Sequence, residues 1–319
     1  MADHSEIARA TAAGTVLMIC GPTAAGKSGL ALALAERCGG VIINADSMQL
    51  YSDLRILTAR PDDAQMARAR HCLYGVIDGA ERASVAAWLA MAADAVSAAR
   101  QDGALPIIVG GTGLYFHAAI HGMAPIPDVP SEIHAACVRQ HAYQGGAAFR
   151  AALAEHDPIT AERLHDGDSQ RLVRAMGVVL ATGRPLSGWQ QDPHQGAIQG
   201  RPLRIAVMPP RDDLYRTIND RFAAMMTQGA EDEVSALAAR GLDPSLPVMK
   251  AIGVREIMAM QEGHMPESLA VETASRDSRR YAKRQMTWIR NNFDAEITLS
   301  KQQLERNIQE IFAILSKRG

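Results

Sequence analysis

Gly21-Pro22-Thr23-Ala24-Ala25-Gly26-Lys27-Ser28 has the spacing of a phosphate loop: a glycine, four residues, then Gly-Lys-Ser. The flanks fit that reading. Val16-Leu17-Met18-Ile19-Cys20 leads in as a short apolar run, the pattern of a buried strand, and an Ala- and Leu-rich run from Leu30 to Arg37 leads out as a helix. In a strand–loop–helix setting, the loop's backbone N–H groups and the positive end of the helix converge on anionic oxygens. Lys27 adds a point charge, and the Ser28 hydroxyl is suited to ligating Mg2+. The loop predicts a grip on a polyphosphate. It leaves open which polyphosphate, and which of its bonds is broken.

A second apolar run, Val41-Ile42-Ile43-Asn44-Ala45, follows the Gly39-Gly40 turn and ends in Asp46-Ser47-Met48-Gln49-Leu50-Tyr51. Ligands of open α/β sheets gather at the carboxyl ends of the strands, which puts Asp46 on the same rim as the phosphate loop. An Asp at such a turn is equally an ordinary N-cap, and position alone leaves both readings open. A third strand, Leu105 to Val109, ends in Gly110-Gly111-Thr112-Gly113-Leu114-Tyr115. Hydrolytic P-loop enzymes commonly carry an Asp near the end of such a strand to hold magnesium. Gly-Gly-Thr stands there instead, which argues against a motor, a switch or an ordinary ATPase. Between these strands, Arg60 faces either the site or solvent. Ser84 reads as an N-cap, with Val85, Trp88, Leu89 and Ala92 on a core-facing stripe.

The character changes at Pro125-Ile126-Pro127-Asp128-Val129-Pro130, a hinge or linker pattern. Residues 131–183 read as helices, with stops at Gly145-Gly146 and Gly183. A polar loop follows, and Arg204 to Met208 resumes a strand. The expected fold is therefore α/β: a P-loop NTPase-like core with a parallel sheet flanked by helices, formed by residues 15–124 and 202–319. Residues 125–201 would form a mainly helical insertion, and 1–14 a flexible tail. In the insertion, Arg171 and Arg174 share one helix face. In the resumed core, Arg216 and Arg221 lie on a helix spanning 213–226. The last distinctive segment, Arg276 to Arg290, places Arg276, Arg280, Lys283 and Arg284 on one stripe and Tyr281, Gln285 and Trp288 on another. Basic residues beside aromatics suit an RNA- or phosphate-binding helix, and equally a solvated face with Trp288 in the core.

Composition narrows the classes. The chain is 47% hydrophobic and 21% charged, so a sizeable core is available. Its net charge of −2 means that any nucleic-acid site must be a local basic patch. Cys20, Cys38, Cys72 and Cys137 are scattered without a C-x-x-C pair, which suits a reducing cytoplasm and argues against a zinc site. His117 and His121 are four apart but lack the central Glu of a zincin, and seven of the ten histidines between His117 and His194 read as surface or RNA-facing. The first fifteen residues have no apolar core, so they do not form a signal peptide. No apolar run approaches the ~20 residues that span a bilayer.

Together these motifs resemble the tRNA dimethylallyltransferase (tRNA isopentenyltransferase) family, of bacterial type, over roughly residues 16–294. The matching stretches come in the family's order: 21–28, Asp46-Ser47-Met48-Gln49 with Tyr51, Thr58-Ala59-Arg60-Pro61, 110–115, Gln170-Arg171-Leu172-Val173-Arg174, 251–256 and 281–288. Four positions depart: Val254 stands where Tyr is usual, Arg280 where Gln is frequent, Leu57 where Gly is usual, and His134 where bacterial members often carry an Arg that touches tRNA.

The resemblance implies transfer of a five-carbon group from dimethylallyl diphosphate to the exocyclic amine of the adenosine 3′ of the anticodon, in tRNAs reading codons that start with U. Gly21 to Ser28 would hold the donor's diphosphate, with Mg2+ at Ser28. Asp46, Thr23 and Arg221 would be catalytic. Asp46, Ser47, Met48, Gln49, Thr112, His134, Gln170 to Arg174, Arg255, Arg279, Lys283, Arg284 and Gln285 would contact tRNA. The partners implied are the tRNA anticodon stem-loop and the prenyl donor, with no membrane. A cytoplasmic monomer is expected, because the RNA-binding unit is complete in one chain. A P-loop small-molecule or nucleotide kinase would explain the loop but not the basic C-terminal segment. An adenylate isopentenyltransferase would have less need of the insertion. A non-catalytic RNA-binding sensor would have no use for Asp46 beside Lys27.

Overall fold

The computed structural model describes residues 11, 13–300 and 304–318, and the tail expected at 1–14 lies largely outside them. The described residues divide into two compact units, residues 1–120 with 198–319 and residues 121–197.

The first unit is built on a six-stranded sheet with strands β1 (Thr15–Cys20), β2 (Val41–Ala45), β3 (Arg70–Cys72), β4 (Pro106–Gly110), β5 (Arg201–Val207) and β6 (Ile297–Leu299). Their order is β3-β2-β4-β1-β5-β6, and every adjacent pair is parallel. Parallel strands covered on both faces read as unbroken apolar runs, and β1, β2 and β4 are buried at every position. The short edge strand β3 carries too little apolar pattern to be read from sequence; its backbone pairing with β2 alone defines it.

Around the sheet lie α1 (Lys27–Cys38), α2 (Asp63–Arg68), α3 (Val85–Gln101) and α4 (Gly113–His121). Ser84 caps α3 as expected, its hydroxyl accepting the Ala87 N–H at 3.0 Å. Trp88 and Leu89 are buried along that helix.

The second unit holds α5 (Ser131–Ala154), α6 (Pro158–Arg163), α7 (Ser169–Thr182) and α8 (Leu186–Trp189) around Cys137, Phe149, Leu153, Leu172 and Met176. The helical stop expected near Gly145-Gly146 is present: Gly145 takes φ 75°, ψ 163°, outside the helical region, and separates two helical stretches within α5. Its bounds, 121 and 197, fall slightly before the 125 and 201 expected from the prolines and the polar loop.

Back in the first unit, α9 (Arg211–Thr227), α10 (Ala230–Ala239), α11 (Val254–Gln261), α12 (Glu267–Asn292) and α13 (Leu304–Ser316) complete the chain. Phe222, Met225, Val234, Ile257 and Ala274 from α9 to α12 form one apolar cluster with Tyr51 and Leu54, and so carry these helices onto the segment after β2. No helix among the described residues is long and apolar enough to cross a membrane.

Candidate polyphosphate and acceptor site

Strand register assembles the site. Cys20 lies opposite Gly110 on one side and Ala206 on the other, and Ala45 lies opposite Gly110. The residues that follow these strand ends, Gly21, Asp46 and Gly111, therefore emerge side by side on one rim. The packing there excludes a side chain at Gly110, where a Cβ would stand 2.1 Å from the Ala45 carbonyl oxygen. Asp46 and the phosphate loop, 18 or more residues apart in sequence, become neighbours because β4 fits between their strands.

A cavity of about 320 Å³ opens on that rim. Thr23 to Gly29 form one wall, Asp46, Gln49 and Tyr74 another, and Thr58, Ala59 and Arg221 a third. Gly21 and Pro22 are buried behind the wall. Two wall residues, Ala24 (φ 62°) and Ala59 (φ 53°), hold the left-handed backbone conformation that L side chains rarely adopt. A second cavity of about 80 Å³ shares Thr23, Asp46, Thr58 and Arg221 with the first. Its remaining lining is mostly apolar: Met48, Leu57, Ile218, Phe222, Met225 and Tyr281 among others.

The charges are arranged against their own burial. Lys27 Nζ donates to the Pro22 carbonyl at 2.6 Å, and burial pushes its pKa down to about 8, with Asp46 acting in the opposite sense. Burial raises the Asp46 carboxyl above the usual range, opposed first by Lys27, then by the Met48 N–H and Arg221. Burial also lowers the Arg221 guanidinium, opposed by Asp46, and Arg221 donates to the Thr23 hydroxyl. Three expected catalytic residues thus stand together, with Thr23 and Arg221 in direct contact.

Asp46 is not the N-cap of the short 3-10 turn Met48–Leu50, a position held by Ser47. Its Oδ1 accepts the Met48 N–H at 3.0 Å, and the same carboxyl lines both cavities. Asn44, fully buried, fixes its backbone: Oδ1 accepts the Asp46 N–H at 2.8 Å, while Nδ2 donates to the carbonyls of Asp46 and Leu73, each at 2.9 Å. A polar residue inside the apolar run of β2 was the available signal for this role. Ser47 and Thr112 also meet, the Ser47 N–H donating to Thr112 Oγ1 at 3.0 Å.

Several expected tRNA-contact residues are occupied otherwise. Gln285 is buried; its Oε1 accepts the Thr23 N–H at 2.8 Å and its Nε2 donates to the Gly111 carbonyl at 2.9 Å, so its amide is spent on the protein. Gln49 Nε2 donates to the carbonyls of Thr58 and Ala59. Leu172 and Val173 are buried in the core of the second unit, where they pack rather than present side chains to a ligand. Arg279 is partly buried and donates to Asn219 Oδ1 at 2.6 Å. Arg60 donates to the Tyr51 carbonyl at 2.8 Å and lines a neighbouring cavity that shares Ala59, Gln65 and Arg221 with the main one.

Other expected contacts remain at the surface. Arg276, Arg280, Lys283 and Arg284 are exposed along α12, and Arg255 is exposed on α11. Lys283, Arg284 and Trp288 line a shallow groove of about 540 Å³. His134, Gln170 and Arg171 are exposed in the second unit, where Arg171 pairs with Asp168 at 3.1 Å and Arg174 reaches the Pro127 carbonyl at 3.4 Å.

A phosphate loop, a carboxylate on the next strand end and a second cavity sharing that carboxylate define a P-loop-type α/β protein. Residues 49–292 match the IPP transferase family. The chain is 48% identical over 296 residues to the tRNA dimethylallyltransferase of Paramagnetospirillum magneticum, covering 93% of this chain and 94% of that one. It is 50% identical over 287 residues to the tRNA dimethylallyltransferase of Rhodospirillum rubrum, covering 90% and 88%. Among solved structures, the full-length tRNA isopentenylpyrophosphate transferase from Bacillus halodurans superposes with a TM-score of 0.69 at 30% identity, covering 96% of each chain. The chain belongs to the IPP transferase family.

Proposed function

We propose that the protein transfers the dimethylallyl group of dimethylallyl diphosphate to the exocyclic amine of an adenosine in tRNA. The acceptor is the residue 3′ of the anticodon in tRNAs that read codons starting with U. One observation carries this reading: Thr23, Asp46, Thr58 and Arg221 are shared by a polar cavity at the phosphate loop and a smaller one whose unshared lining residues are mostly apolar. A diphosphate in the first and a five-carbon chain in the second would put the bond between them beside Asp46. The close relatives named for the same reaction support the assignment.

The adenine amine is a poor nucleophile because its lone pair is delocalised into the ring. As the amine nitrogen forms its bond to the donor's first carbon, the bond from that carbon to the bridging oxygen breaks, and the diphosphate leaves with the electron pair. Asp46 takes the amine proton. Burial has raised its pKa, which strengthens it as a base, and Lys27 and Arg221 oppose that rise. Lys27, the loop amides, and Arg221 with Thr23 stabilise the charge gathering on the leaving diphosphate.

The donor set suits Mg2+. The cavity offers the exposed Ser28 hydroxyl beside the loop that would hold the substrate phosphates. That pattern fits an ion held by one or two protein oxygens together with substrate phosphates. Bound there, Mg2+ would neutralise charge on the leaving diphosphate.

The acceptor base is stacked in the anticodon loop and has to be extruded to reach Asp46. The exposed basic residues of α12, with Trp288, form a face suited to the phosphates and splayed bases of such a loop. The protein acts as a cytoplasmic monomer in this reading. One assay tests it. Labelled dimethylallyl diphosphate is offered with tRNA, with AMP, or replaced by ATP with kinase acceptors. Label in tRNA alone supports the proposal. Label in AMP, or phosphoryl transfer, overturns it.

A further inference from the structure

Helix α10 contributes no lining to the main cavity, yet one of its side chains holds the cavity wall. The Glu233 carboxylate accepts three successive backbone N–H groups, from Arg55, Ile56 (2.8 Å) and Leu57 (3.0 Å). Three converging N–H groups form an anion nest, and here the anion is a side chain from 176 or more residues away. From the other side, Gln49 Nε2 donates to the carbonyls of Thr58 (2.8 Å) and Ala59 (3.1 Å). Two side chains thus hold backbone groups of five consecutive residues.

That segment is where strain and ligand meet. Thr58 and Ala59 line the main cavity beside the phosphate loop, and Ala59 sits at φ 53°. A non-glycine residue stays in the left-handed region only where its surroundings over-determine it. The Leu54–Pro61 loop also joins the two cavities, since Thr58 lines both and Leu57 lines the smaller.

We propose that Glu233 is a positioning residue for donor binding, holding the Thr58–Ala59 wall in its strained conformation. The role in catalysis rests on the donor reading above. Glu233→Gln keeps the side chain's size but aims an amide N–H at N–H groups. It is expected to raise the KM for dimethylallyl diphosphate about 5- to 20-fold, leaving kcat and the KM for tRNA within about twofold of wild type. Adding Ala59→Gly to Glu233→Gln is expected to recover part of that loss, because glycine takes a positive φ without being held there.

Titration with inorganic diphosphate reads the same wall without the reaction, and the Gln variant should bind it more weakly. An unchanged donor KM together with unchanged diphosphate affinity overturns the proposal. So does a fall in kcat with a comparable rise in both KM values and no recovery from glycine, which marks a general structural role. If wild-type protein fails to label tRNA while Glu233→Gln still weakens diphosphate binding, the donor reading fails and the positioning role stands.

Discussion

Gln285 Oε1 accepts the backbone N–H of Thr23 at 2.8 Å, across 262 residues of sequence. The same amide donates to the Gly111 carbonyl, so one side chain of α12 ties the phosphate loop to the end of β4. Gly111 is needed for this approach: a Cβ there would stand 2.2 Å from Gln285 Nε2. The helix that presents an exposed basic stripe on one face is thus hydrogen-bonded to the phosphate loop on its other.

Gln285→Met should therefore act on the donor site. It strands the part-buried Thr23 N–H and the buried Gly111 carbonyl, at a cost of about 1–3 kcal/mol for the buried group and less for the other. Thermal unfolding should shift downward and the donor KM should rise. The affinity for tRNA, measured by filter binding without donor, should change less than twofold, by roughly the margin of a surface substitution. A larger loss of tRNA affinity with donor KM intact would return Gln285 to the role of an RNA contact.

Asp46→Asn keeps the Oδ1 acceptor for the Met48 N–H but removes the base. Single-turnover transfer should slow by roughly 10²–10⁴, while donor and tRNA dissociation constants stay close to wild type. Near-normal turnover would remove Asp46 from the chemistry. Asn44→Leu should reproduce part of the slowing, because the Asp46 peptide loses both bonds that fix it.

The pH profile of kcat/KM for the donor should be bell-shaped. Below the raised Asp46 pKa the base is protonated and the rate falls; above about 8, Lys27 loses its charge and the grip on diphosphate weakens. Stability of the free protein has its own signature. Lys27 titrates lower in the folded chain than in the unfolded one, so between about 8 and 10.5 the unfolded state binds more protons and stability rises with pH. Lys27→Met should abolish both the alkaline limb and that rise, as read by activity and by thermal melts across pH.

Affinity for tRNA should fall steeply with salt. Neutralising Lys283 or Arg284, both exposed, should each lower the slope of log K against log salt by about 0.7–0.9 for every phosphate that the side chain had neutralised. Arg279, already bonded to Asn219, should change the slope less. Equal slopes for all three variants and wild type would remove α12 from the RNA interface.

Much of the protein was written locally in the chain. The phosphate loop needs only its own glycines, Lys27, and a strand and helix on either side, so residues 15–38 declare themselves. The largely apolar runs that became β1, β2 and β4 are buried throughout because both faces of the sheet are covered there. Asp46 could be placed on the rim because strand ends share one edge, and the exposed basic stripe of α12 follows from helical spacing alone.

Long-range hydrogen bonds were not legible, because nothing local specifies the partner of a polar side chain. Glu233 sits in an acidic first turn where its neighbours, Glu231 and Asp232, look identical, and only the packing of α10 aims it at residues 55–57. Gln285 and Gln49 look like RNA-reading amides in a motif, and burial against loop and strand end gives them other work. The sequence by itself determined the phosphate loop, the carboxylate at the next strand end and the basic helix, through spacing and hydrophobic pattern. Tertiary structure decided which amides and carboxylates hold that site together, because those choices depend on what the fold brings within about 3 Å of each group.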